Sequence, residues 1–210
     1  MKRILLFATC AYFICASALA QSFEGTITYI NSYKSKVPAM TDEQIGAMMG
    51  ANQTYKIKGG NYHSSLDGSL MQWQLYRADE NRIYMKLSST SAVFWKDASE
   101  NPDEVQEAVL NKKVEKVLGY TCDELVLTCK SGVQKYYFHS SVGVDPSIFT
   151  NHKFGNFSEM ISRTKALPLK AVIETQQFTI VTIATEVKPE KVSDEVFKFP
   201  EGVNLQKSPY

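Results

Sequence analysis

The chain is poor in histidine, cysteine and proline, with 3, 4 and 7 of them among its 210 residues. The low proline content, with 44% apolar and 21% charged residues, excludes disorder, collagen and coiled coil as descriptions of the whole chain. The histidines lie far apart and lack the His-x-x-x-His spacing of a helical zinc site, so we predict no metal site. Gly-x-Ser-x-Gly, phosphate-loop and dinucleotide fingerprints are also missing. We therefore predict a non-enzymatic protein without a cofactor.

Neither positive nor negative charge is in marked excess. The chain has 23 Lys and Arg against 22 Asp and Glu, a net charge of +1, and without Lys2 and Arg3 the balance is 21 against 22, or −1. This balance lacks both the basic patch of a nucleic-acid-binding protein and an acidic tail. We predict that the protein has no nucleic-acid partner.

The first twenty residues are organised like a secretory signal peptide. A basic start at residues 1–3 precedes an uncharged apolar run over residues 4–19, and small residues end the segment before a predicted cleavage site between Ala20 and Gln21. A membrane anchor needs about 20 apolar residues and a basic stop, whereas Glu24 follows here. We predict a periplasmic or otherwise exported protein without stable membrane insertion.

Two of the four cysteines lie in this leader, which leaves Cys122 and Cys129 in the mature chain. Residues 120–129 have the pattern of a single strand. Seven steps of ~3.3 Å separate the two α-carbons by ~23 Å, far beyond the ~7 Å limit of a disulfide. We predict two separate, mostly buried thiols and no disulfide.

Alternation of apolar and polar residues dominates the mature chain. It predicts strands near residues 23–33, 55–58, 62–66, 71–75, 83–87, 120–129, 133–138, 167–173 and 178–187. Short turn segments such as Gly59-Gly60-Asn61 join neighbouring strands into hairpins. The pattern predicts one mainly β (α+β) domain over residues 21–210, built as a curled antiparallel sheet or incomplete β-barrel of about ten strands.

Three short helices are predicted from their start signals. Thr41 opens a capping box before a short apolar stripe, Asn101 precedes a proline and two acidic residues, and Asn156 precedes a third stripe. Residues 193–197 are expected to add one further turn. Because helices this short are marginal alone, we expect them to pack on the concave face of the sheet as a lid.

Aromatic residues and methionine are abundant, with 11 Tyr, 11 Phe, 2 Trp and 7 Met. Rings and thioethers on a concave sheet are typical of a site for acyl chains or another hydrophobic ligand. The candidate lining residues are Met48, Met49, Trp73, Trp95, Met160 and Ile161. The alternative is an ordinary core, filled by the same side chains, with no cavity.

Several segments carry a resemblance to a known family: Phe23-Glu24-Gly25-Thr26-Ile27-Thr28-Tyr29, Val117-Leu118-Gly119-Tyr120-Thr121-Cys122, Leu167-Pro168-Leu169-Lys170, Ala184-Thr185-Glu186-Val187 and the stretch 192–202. Together they resemble an uncharacterised family of exported bacterial proteins, the domain of unknown function 4412 group, which is similar in turn to the periplasmic lipoprotein carriers LolA and LolB. The resemblance implies an incomplete antiparallel barrel around lid helices, with an apolar cavity for acyl chains.

The sequence thus favours an exported binding protein whose partner is a hydrophobic small molecule or a lipidated protein. One alternative is a structural or interaction protein of the envelope with a filled core. A small outer-membrane barrel is disfavoured, because the last segment contains Lys207 and Pro209. An enzyme with an unrecognised site is the remaining alternative, and the stretch with Asp145, His152 and Glu159 is its one candidate location.

Overall fold

The computed structural model describes residues 22–209. The predicted signal peptide, its cleavage site at Ala20 and Gln21, and Tyr210 lie outside this part of the chain. Within it the protein is mainly β, with twelve strands in one sheet. The strands are β1 (Gly25–Ser35), β2 (Asn52–Lys58), β3 (Asn61–Leu66), β4 (Met71–Arg77), β5 (Arg82–Leu87), β6 (Val93–Asp97), β7 (Val105–Val117), β8 (Tyr120–Cys129), β9 (Val133–Gly143), β10 (Ala166–Glu174), β11 (Phe178–Pro189) and β12 (Leu205–Lys207).

The sheet is open, curled and almost entirely antiparallel, in the order β12-β6-β5-β4-β3-β2-β1-β11-β10-β9-β8-β7. The first strand and the one before last meet near the middle of this order, where β1 pairs with both β2 and β11. The predicted count of about ten strands is corrected to twelve, since β6 and β12 follow no pattern recognised in the sequence and the start of β7 has the pattern of a helix. β12 is a three-residue strand that pairs in parallel with β6, and so short a strand leaves no periodicity to read.

Most predicted hairpins are confirmed. Gly59 and Gly60 form the turn between β2 and β3, and both have positive φ, +55° and +89°. At Gly60 an added β-carbon would lie 2.4 Å from the side chain of Ile148, so glycine is required by close approach as well as by the turn. The turns between β4 and β5 and between β8 and β9 also fall where the sequence placed them.

The predicted second helix after Asn101 is wrong, because this segment leads into the edge strand β7. Asp103, expected in the first turn of a helix, does not begin one. Its carboxylate accepts hydrogen bonds from the backbone nitrogen and Oγ of Ser131, both at 2.8 Å. Val105 and Val109 then pair with β8. Long-range pairing of β-branched residues therefore overrides a helix signal that is only local.

The other two helices are confirmed as α1 (Asp42–Met49) and α2 (Phe157–Thr164). Thr41 and Gln44 form the predicted capping box of α1, which buries Ile45 and packs on β1. Two short 3-10 segments, Pro146–Phe149 and Phe154–Asn156, lead into α2, and the predicted turn near residue 195 is a 3-10 segment, Asp194–Phe197.

The two faces of the sheet bury different cores. We call the face that carries Tyr29, Tyr62 and Tyr136 the inner face; residues 146–164 cross it, and the main core lies there. On the outer face of β4, β5 and β6, Leu75 and Tyr84 belong to a second core that the segment 192–203 covers. Since both faces of these strands are covered, alternation alone does not say which one forms a site.

Candidate ligand-binding cleft

A cleft of about 290 Å³ lies between the inner face of the sheet and the segment that ends in α2. Six of its lining residues are apolar and come from α2 and β10: Phe157, Met160, Leu167, Pro168, Ala171 and Ile173. Its opposite wall is formed by β1, β2 and β3, through Tyr29, Tyr55 and Tyr62. The volume lies at the lower limit of small-molecule sites, so the cleft has room for one small ligand.

Every residue that lines this cleft belongs to the described part of the chain, and none of them is Lys, Arg, Asp or Glu. Its polar groups are uncharged, and several are already paired. Gln53 Nε2 donates to Ser64 Oγ at 2.8 Å, and Tyr29 Oη donates to the carbonyl oxygen of Pro168 at 2.8 Å. The site therefore combines an apolar body with a few neutral hydrogen-bonding groups, as small-molecule sites commonly do.

His152 is the most deeply buried polar residue of the cleft, with 1% of its surface exposed. Its ring packs between Phe157, at a centroid distance of 4.4 Å, and Tyr76, at 4.1 Å. Its Nε2 shares a hydrogen bond of 2.9 Å with Tyr62 Oη. Burial lowers the pKa of His152 to about 3, because the imidazolium would lose its hydration. At neutral pH the ring is therefore uncharged.

Two buried polar atoms of the cleft have no hydrogen-bond partner within the described residues: Tyr55 Oη and His152 Nδ1. The ring of Tyr55 stacks on that of Tyr62 at a centroid distance of 5.0 Å, and Tyr62 bonds to His152. Tyr55 and His152 therefore belong to one aromatic cluster. Burial raises the pKa of the Tyr55 phenol well above its usual value, so the hydroxyl remains a donor. Buried polar groups without partners are rare and mark places where a further group can bind.

A polar network attaches the start of α2 to the sheet. Asn156 occupies the N-cap position with a left-handed backbone, φ 62°, but its side chain makes no capping bond. Instead its Oδ1 accepts from Asn101 Nδ2 at 2.6 Å, and its Nδ2 contacts Asp103 Oδ2 at 3.4 Å and Cys129 Sγ at 3.3 Å. Asp103 also accepts from Gln134 Nε2 at 3.1 Å. These bonds fix α2 over the inner face and so hold one wall of the cleft.

The structure does not bring the six predicted lining residues together. Met160 lines the cleft, and Ile161 is fully buried beside it in the main core. Met48 and Met49 are half-buried on α1 and are not among the lining residues.

The two tryptophans lie elsewhere. Trp73 and Trp95 pack against the second core on the outer face. The Trp73 ring contacts His63, and the Arg82 guanidinium lies 4.0 Å from the centre of the Trp95 ring.

Sequence reasoning missed Tyr55, Tyr62 and His152 as a group. The β2–β3 hairpin carried a signal for the first two, since Ile57 pairs with Tyr62, and Tyr55 lies two residues before Ile57 on the same face. No sequence signal connects His152, which lies 90 residues after Tyr62.

The residues considered for an enzyme site are not assembled into one. Asp145 and Glu159 are exposed, while His152 is buried and bonded to a tyrosine rather than to a carboxylate. Within residues 22–209 no group of three or more His, Cys, Asp or Glu residues is placed to hold a metal ion. In the same range, none of the helices has the length and apolar character needed to span a bilayer.

Comparisons with known proteins identify no family for this chain. No protein-family model matches it, and no curated protein matches it. Among solved structures it is similar to one described as the structure of PNGF-II, with a TM-score of 0.48 and 14% sequence identity. The similarity covers 89% of this chain and 32% of the other, so this chain spans about a third of the length of that protein.

Proposed function

We propose that the protein is an exported, non-enzymatic binding protein of the bacterial envelope that holds one small hydrophobic ligand in the cleft between α2 and the sheet. The observation that carries this proposal is the pair of unpartnered polar atoms, Tyr55 Oη and His152 Nδ1, on residues that line a cleft without charged side chains. The cleft's size supports a single small molecule or one short acyl chain. The sequence features of residues 1–20 support export, and the resemblance to the LolA and LolB carriers supports an envelope role.

Binding in this cleft rests on burial of apolar surface. Each methylene transferred from water to the cleft contributes about 0.8 kcal/mol. A chain of about eight methylenes would gain about 6 kcal/mol before the loss of translational and rotational freedom is subtracted. Without a polar contact, such a ligand would exchange readily. The unpartnered Tyr55 and His152 groups therefore add the contacts that fix a ligand's orientation.

A second candidate function is a structural or interaction role without a ligand. The small volume of the cleft and the dense aromatic packing around His152 favour it. In that case the same residues serve only to hold the curled sheet and α2 together. The two functions differ in whether the cleft is occupied by a small molecule in the cell.

Native mass spectrometry distinguishes the two. The protein is expressed with its own leader in its source cells, purified without denaturant, and compared with Ala171→Leu, which fills the cleft, and Ala108→Leu, a control on β7 outside it. Circular dichroism first verifies that both variants fold, since a larger core residue costs about 1–3 kcal/mol. We expect a bound small molecule on the wild type and on Ala108→Leu, but not on Ala171→Leu. A ligand-free wild type would support the structural role.

A further inference from the structure

The polar groups of the cleft also indicate which chemical class of ligand it takes. This inference rests on the proposed binding function and concerns the same site. Its starting point is the hydrogen bond between Tyr62 Oη and His152 Nε2. The direction of that bond decides whether His152 Nδ1 is a donor or an acceptor, because a neutral imidazole carries one proton.

If Tyr62 donates to Nε2, both the phenol hydrogen and the Nε2 lone pair are satisfied, and the ring proton is on Nδ1. If Nε2 donates instead, the phenol hydrogen of Tyr62 is left without an acceptor, and the Nδ1 lone pair is left without a donor. Each unpartnered buried group is costly. The first arrangement leaves fewer groups unpaired, so it assigns the proton to His152 Nδ1.

Two neutral donors on residues that line the cleft, His152 Nδ1–H and Tyr55 Oη–H, then have no hydrogen-bond partner within the described chain. Neither donates a hydrogen bond to another residue of the described chain, so a ligand in the cleft can supply the acceptor. No cation lines the cleft to compensate a carboxylate or a phosphate, and no anion lines it to compensate an amine. Burying an unpaired charge is far more costly than burying a carbonyl that accepts hydrogen bonds.

We propose that the cleft selects an uncharged ligand with a short apolar body and a carbonyl-type oxygen, such as a ketone or an ester, which accepts hydrogen bonds from Tyr55 and His152. Charged amphiphiles of the same length are excluded by the neutral lining. The protein would thereby discriminate between a fatty acid and its uncharged derivative.

Calorimetric titration of the mature protein at pH 8 tests this with three probes of equal chain length: 2-octanone, octanoate and octylamine. We expect the ketone to bind at least ten-fold more tightly than either charged probe. Tyr55→Phe removes one donor and should weaken ketone binding about five-fold, whereas Tyr120→Phe, a tyrosine of β8 that does not line the cleft, should not change it.

Equal or tighter binding of octanoate or octylamine would overturn the inference, and so would failure of the ketone to bind or an unchanged affinity in Tyr55→Phe. In each of these cases, a ligand that co-purifies in native mass spectrometry leaves the proposed binding function intact. If no probe binds and no ligand co-purifies, both proposals fail.

The proton position has its own readout. The chain contains three histidines, so the imidazole nitrogens are readily assigned in a ¹⁵N NMR spectrum. We expect a protonated Nδ1 on His152 at pH 8, with a chemical shift that changes when the ketone binds. A proton on Nε2 would overturn the assignment of two donors.

Discussion

Burial of His152 should make the protein less stable as the pH falls below 6.5. Its pKa is about 3 in the folded protein, against an ordinary value of 6.5. Between these values the unfolded chain binds a proton on this residue that the folded protein does not bind. The unfolded state is therefore favoured increasingly as the pH falls, and full stability returns above pH 6.5. Over the 1.5 pH units from 6.5 to 5.0 this amounts to about 2 kcal/mol.

The double variant Tyr62→Phe/His152→Phe removes the titrating ring without leaving a polar atom of the pair unpartnered. Urea unfolding at pH 8 and at pH 5 gives the loss of stability for each protein. Other groups also contribute to that loss, among them Asp67, whose pKa is lowered by the backbone hydrogen bond from Asn52. Because such groups are present in both proteins, their contributions cancel, and the wild type should lose about 2 kcal/mol more than the variant.

Phe149→Leu provides a control for lost ring packing. Phe149 contacts Phe157 and Tyr76 in the same cluster but does not titrate. Its substitution should lower stability equally at both pH values. Equal pH dependence in the wild type and the double variant would refute the buried, neutral histidine.

Three further predictions concern polar groups and thiols of the described chain. Tyr55→Phe should raise the stability of the ligand-free protein by about 1 kcal/mol, because the Tyr55 hydroxyl has no partner. Tyr29→Phe should lower the stability by a similar amount, because the Tyr29 hydroxyl bonds to Pro168. Urea unfolding measures both changes. Asn156→Ala should be less stable than Asn156→Gly by about 1–2 kcal/mol, because both variants lose the side-chain bonds but only glycine tolerates the left-handed backbone. Equal stability of the two variants in urea unfolding would show that the backbone at residue 156 is not strained. Cys122 and Cys129 should resist iodoacetamide at pH 8 until the protein unfolds, because both are buried and burial raises the pKa of Cys129 to about 11; rapid labelling of the folded protein would contradict this.

Much of the fold follows from short-range patterns. The Gly59-Gly60 hairpin, the capping box at Thr41 and the strand that holds both cysteines all depend on residues close in sequence. Such features are predictable because local backbone preference and tertiary packing agree there. At residues 101–109 they disagree, and pairing of β7 with β8 determines the structure.

The site was less predictable than the fold. Trp73 alternates in phase with Leu75, so both side chains lie on the outer face, away from α2. The sequence does not show that the C-terminal segment covers this face. Met160 was predictable because it lies on the apolar stripe of a recognised helix. The contact between His152 and Tyr62 joins residues 90 positions apart in the sequence, and no local motif encodes it.

Methyl NMR of methionine-labelled protein tests most directly whether the cleft binds a ligand. Met160 lines the cleft, whereas Met48 and Met49 on α1 do not and serve as internal controls. On titration with 2-octanone, the ε-methyl resonance of Met160 should shift saturably while those of Met48 and Met49 remain in place. An unchanged Met160 resonance, or a shift confined to Met48 and Met49, would contradict a site for this uncharged ligand between α2 and the sheet.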